Sequence, residues 1–103
     1  MKPLTHVSFE LLHEVGNKVM PEVGHLGHSY DILETLMRDA PKEYVRHLYD
    51  FVDNDDPITV AHSEIGVRFV NAPLNEFFEK VGTIRVRNVR GGYSNVAAWR
   101  RIK

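Results

Sequence analysis

The chain has 103 residues, enough for one domain spanning 1–103; two halves would each be too small to bury a sound core. With 43% apolar and 26% charged residues it has the composition of an ordinary soluble globule, and its longest apolar runs are too short to cross a membrane. Cysteine is absent, which excludes disulfides, thiolate metal sites and a cysteine nucleophile; with no secretory-type start, a cytoplasmic location is expected.

A formal net charge of −1 conceals an asymmetry. Residues 1–56 hold five Lys or Arg against eleven Asp or Glu, a net of −6; residues 57–103 hold eight against three, a net of +5. No acidic residue follows Glu79. A chain polarised in this way points to an anionic partner.

Ser8 can cap a first helix over about 9–20, with Phe9, Leu12, Val15 and Val19 at helical spacing and Pro21 ending the run. Gly16 lies inside it at a cost of about 1 kcal/mol relative to alanine. Residues 21–28, with one proline and two glycines, predict a loop. Ser29 can cap a second helix over 29–39, whose apolar stripe is Ile32, Leu33, Leu36, Met37 and Ala40. Pro41 suits the first turn of a third helix over 41–52, and 53–57 form a solvated stop.

The β-rich runs 58–62 and 65–70 predict strands, either two about Ser63-Glu64 or one bulged at Gly66. Asn71 then caps a short helix over 72–81, with Leu74, Phe77, Phe78 and Val81 on one face and Gly82 as its stop. Thr83–Arg90 and Tyr93–Ile102 predict a hairpin turning at Gly91-Gly92. The fold class is therefore α+β: three N-terminal helices, then an antiparallel sheet with one short inserted helix and a C-terminal hairpin, in the order ααα-ββ-α-ββ. The layout is loosely analogous to winged-helix domains, in architecture only. Leu33, Leu36, Leu48, Phe69, Phe77, Phe78, Ile84 and Trp99 are the predicted core.

The hairpin register decides what its cations can do. A two-residue turn pairs Arg90 with Tyr93, Val86 with Ala97 and Ile84 with Trp99, so Trp99 faces the core and Arg85, Arg87 and Arg100 share the other face. A three-residue loop instead pairs Arg85 with Trp99, which could then stack on a base. Gly-Gly favours the first.

Other constellations carry less. His25 and His28 form an HxxH, but zinc needs a third or fourth ligand that the pattern does not supply. Asp53, Asp55 and Glu64 match calcium-loop positions, yet Ile58 stands where the sharp turn needs glycine. His62-Ser63-Glu64 has triad residue types but not triad spacing. The helices at 29–39 and 41–52 suggest a helix-turn-helix, opposed by too short a turn and by Glu43 and Asp50 on the reading helix.

No catalytic residue, metal ligand or cofactor is assigned, and the chain reads as non-enzymatic. The expected function is nucleic-acid binding or regulation, with Arg85, Arg87, Arg90, Arg100, Arg101 and Lys103 on phosphates and Tyr93 at the hairpin tip. The alternative is a protein-interaction module, an inhibitor, adaptor or assembly protein, docking through its acidic helical half or its basic hairpin. Its partner would be another protein or a second copy of the chain.

Overall fold

The computed structural model describes residues 6–88 and 90–103. Helices α1 (Phe9–Val19), α2 (Ser29–Asp39), α3 (Pro41–Tyr49) and α4 (Pro57–Val70) pack against strands β1 (Leu26–His28), β2 (Phe78–Arg87) and β3 (Tyr93–Arg101). The sheet is antiparallel in the order β1-β3-β2. The expected α+β class with an antiparallel sheet and a C-terminal hairpin is present, but the middle of the chain is built differently. Among the described residues no helix is long and apolar enough to cross a membrane.

Ser8 caps α1 as expected, accepting a hydrogen bond from Leu11 N at 3.1 Å. Gly16 belongs in that helix for packing: a Cβ there would lie 2.5 Å from the ring of Phe78. The segment 21–28, predicted as a loop, holds the short strand β1, which pairs Gly27 with Trp99. Gly27 allows this approach, since a Cβ would lie 2.5 Å from Val19. The cap of α2 is His28, not Ser29. His28 Nδ1 accepts from Asp31 N at 3.3 Å, while Asp31 Oδ2 accepts from His28 N at 3.2 Å, a reciprocal box. Ser29 is thereby released to bond the core. Ala40 ends α2 and begins α3, and Pro41 occupies the first turn of α3 as expected.

The predicted strands at 58–62 and 65–70 are one helix, α4. Pro57 fits its first turn, and Asp56 caps it, accepting from Thr59 N at 3.3 Å. Ala61, Ile65 and Phe69, spaced by four, are its buried line. The β-branched residues lose only a few tenths of a kcal/mol each in a helix, less than the burial of that line gains. Conversely, the helix predicted over 72–81 is a single 3-10 turn, Leu74–Glu76, followed by the start of β2. Pro73 disfavours helical backbone at Ala72 and so blocks a start at the Asn71 cap.

The hairpin loop spans 88–92, because Arg87 pairs with Tyr93. Asn88 organises it. Its Oδ1 accepts from Arg90 N at 3.0 Å and Gly92 N at 3.1 Å, and its Nδ2 donates to Ser94 Oγ at 2.9 Å. These side-chain bonds add to the backbone bonds Asn88 N to Gly92 O and Gly91 N to Asn88 O, and together they favour the five-residue loop over the two-residue Gly-Gly turn. Val86 accordingly opposes Ser94 and Ile84 opposes Val96, in place of Ala97 and Trp99. A bulge at Val81, between Lys80 and Gly82, then returns Lys80 to Trp99 and Phe78 to Arg101.

Trp99, Phe69 and Phe78 meet in the core, with ring centroids 5.5 Å apart in both the Phe69–Phe78 and Phe69–Trp99 pairs. Leu33 and Leu36 join them as predicted, Leu48 and Phe77 sit at the rim, and Ile84 is 45% exposed, contrary to its predicted place in the core. Gly16→Ala should lower stability by about 1–3 kcal/mol although alanine is the better helix former, because the Phe78 ring must move. Urea unfolding of the variant measures this, and an increase in stability would show that the ring is not held there.

Candidate docking surface on the C-terminal hairpin

Alternation along the observed register places Arg85 and Arg87 on one face of the hairpin with Tyr93 and Asn95, and Ile84 and Val86 on the other with Val96 and Ser94. The Arg85 guanidinium lies 5.4 Å from the centre of the Tyr93 ring. Neither Arg85 nor Arg87 forms an ion pair with an acid among the described residues.

The remaining predicted phosphate contacts are dispersed. Arg100 stands opposite Glu79, whose carboxylate accepts from its Nε at 2.7 Å. By alternation it also lies on the opposite sheet face from Arg85 and Arg87, so the expected grouping of those three is not formed. Arg90 reaches Asp56 at 3.5 Å. Hydrogen bonds from Thr59, and then Arg90, hold the Asp56 carboxyl below the usual carboxylate range. Arg101 donates to Met20 O at 3.2 Å and Pro21 O at 2.7 Å, tying the end of β3 to the end of α1. Lys103 Nζ sits 5.9 Å from the Phe77 ring centre.

The uncommitted surface is β2 itself. It is an edge strand of ten residues, and Lys80 to Arg85 are exposed in unbroken sequence, Val81 at 43% and Ile84 at 45%. A strand lying on a core hides every second residue; this stretch hides none. Beyond its root the hairpin is therefore an arm whose outer strand, β2, lies in solvent, while Val96 to Ala98 of β3 stay half-buried. Beside it lies a cleft of about 610 Å³ of mixed character, lined by Val86, Arg87 and Arg90 on the arm and by Asp31, Glu34 and Met37 on α2.

His62, at the edge of this cleft, is hydrogen-bonded through Nε2 to Tyr44 Oη at 2.7 Å. Burial pushes the His62 pKa below its ordinary value, helped by nearby His47, and burial raises that of Tyr44. His47 is itself buried, with Nε2 2.9 Å from Ala61 O. These two histidines join α3 to α4, a role the sequence pattern did not signal. Glu64 forms an ion pair with Arg68 and approaches His47, so His62-Ser63-Glu64 form no relay. Among the described residues no three His, Cys, Asp or Glu side chains are placed to hold a metal ion. Lys42 and Arg46 of α3 are exposed, while Tyr44 and His47 fasten that helix to α4.

No family model matches the chain, and neither a curated protein nor a solved structure matches it.

Because the fold disfavours protonated His62, stability should be full above the unfolded-state pKa, about 6.5, and fall as pH drops below it through the lower folded value. Melting temperatures from about pH 7 to about pH 5 should decline, and His62→Gln should flatten the decline. An unchanged profile in the variant would remove His62 as the responsible group.

Proposed function

We propose that this chain is a small, non-enzymatic protein-interaction module whose C-terminal hairpin is the docking element for an acidic protein surface. One observation carries this reading: six consecutive residues of β2, Lys80 to Arg85, are exposed, so that side chains on both sides of this edge strand reach solvent. A two-stranded ribbon standing alone is marginally stable, and exposed Val81 and Ile84 gain nothing from solvent. Lys80, Arg85 and Arg87 supply charge complementary to carboxylates and would steer the encounter.

Binding to nucleic acid is the second reading, favoured by the stacking of Arg85 on Tyr93 at the free end of a ribbon narrow enough for a major groove. It has fewer cations to work with than the sequence suggested, since Arg100 and Arg90 face acids and Arg101 bonds carbonyls. Three remaining phosphate contacts would give a log–log salt slope of about −3.

Ile84→Lys separates the two. It removes an apolar contact and adds a cation at an exposed site, leaving the core intact. Protein docking should weaken about tenfold or more, read as loss of a stoichiometric protein captured from nuclease-treated lysate. Oligonucleotide binding should hold or strengthen. Capture that depends wholly on intact nucleic acid, with tighter oligonucleotide binding by the variant, would overturn the protein-docking reading.

A further inference from the structure

The two faces of the arm differ in chemistry, and among the described residues no strand pairs with its outer edge. Arg85 and Arg87 lie on one face, and Ile84 and Val86 on the other with Val96. A strand laid antiparallel or parallel against β2 would continue both faces, because opposed residues in a sheet share a side. To match, it must alternate carboxylates with apolar side chains. We propose that β2 is a strand-addition site, completed by an amphipathic acidic strand from another protein. The inference rests on the arm being the docking surface and specifies how the arm is occupied.

A second copy of this chain does not fit that edge. Two-fold pairing of β2 with itself preserves the faces, so any pairing over 82–87 gathers Arg85, Arg87 and their two copies on one side. No carboxylate lies in that stretch or after it. Like charges at directly opposed and diagonal sites oppose pairing. The Val81 bulge interrupts the ladder on the other side of Gly82, which limits a self-pairing that would use Glu79. The same cations that deter a twin attract a strand of opposite charge. The other end of the sheet is a poorer edge, since β1 has only three residues.

The test uses the ¹⁵N-labelled full-length protein and a peptide of alternating Glu and Val, matched in length to the ten residues of β2. Amide resonances of 82–87 should shift and their exchange with solvent should slow by about tenfold or more, while 26–28 stay unchanged. The same peptide methylated on every second backbone nitrogen, on its hydrogen-bonding side, should lose both effects. A Lys–Val peptide should bind wild type poorly and bind the variant Lys80→Glu/Arg85→Glu/Arg87→Glu in preference. Peptide effects confined to the side chains of Arg85, Arg87 and Tyr93, with amide exchange at 82–87 unaltered, would overturn strand addition and leave face-on docking of the arm standing. Equal binding of the methylated peptide would overturn it as well. Failure of the broader docking reading shows separately, in the capture experiment with Ile84→Lys.

Discussion

Everything outside the core hangs on the packing of Trp99, Phe69 and Phe78. These rings come from β3, α4 and β2, so one cluster joins the hairpin to the helical layer. Each fully buried aromatic contributes on the order of 1.5–3 kcal/mol by area alone. Two small residues make the arrangement feasible. Gly16 lets Phe78 lie against the backbone of α1, and Ser29 accepts from Trp99 Nε1 at 3.2 Å while donating to Ala97 O at 3.4 Å. An indole N–H without that partner would carry a desolvation penalty of about 1–3 kcal/mol. The cluster grips only the root of the hairpin. From Lys80 outward β2 has no comparable anchor, and its exposure is the direct consequence.

The Val81 bulge divides root from arm. On the root side, Phe78 is buried and Glu79 faces Arg100; on the arm side, Thr83, Arg85 and Arg87 face Ala97, Asn95 and Tyr93. One extra residue therefore changes which side chains share a face. Gly82, with φ of 148°, accommodates the backbone at this step. The bulge also sets the electrostatics. It leaves Arg100 beside a carboxylate and Arg85 and Arg87 without one, a distinction that composition cannot express.

Much of the helical half is legible in the amino-acid order, because its signals are local. Ser8, Pro21, Pro41 and the apolar stripe of α2 act within a turn or two of themselves. The α+β class and the buried position of Trp99 are legible too. What is not legible depends on distant partners. β1 exists because β3 lies beside it, and its three residues carry no pattern of their own. Residues 57–70 have a strand-like composition, yet the spacing of Ala61, Ile65 and Phe69 is helical, and tertiary burial of that line decides. For the site, the exposure of Arg85, Arg87 and Tyr93 was legible, but their sharing one face was not, because the two-residue turn set Tyr93 opposite Arg90 and put Arg100 with the other two. The diversion of Arg90, Arg100 and Arg101 was not, since their partners lie 34, 21 and about 80 positions away.

A +5 half and a −6 half invite the picture of a cationic face, but the cations do not gather on one: Arg90 pairs with Asp56, Arg100 with Glu79, and Arg101 bonds backbone carbonyls. What survives is small and local: Lys80, Arg85 and Arg87 on the same ten residues that leave Val81 and Ile84 unburied. Either feature alone has an ordinary explanation. Cations along an edge strand deter aggregation, and a few exposed aliphatic residues are normal on any surface. Their coincidence is harder to attribute to solitary folding. An edge under pressure only to stay unpaired would do better with polar residues on both faces. An amphipathic edge instead rejects partners with matching cations while keeping an apolar face that rewards the right one.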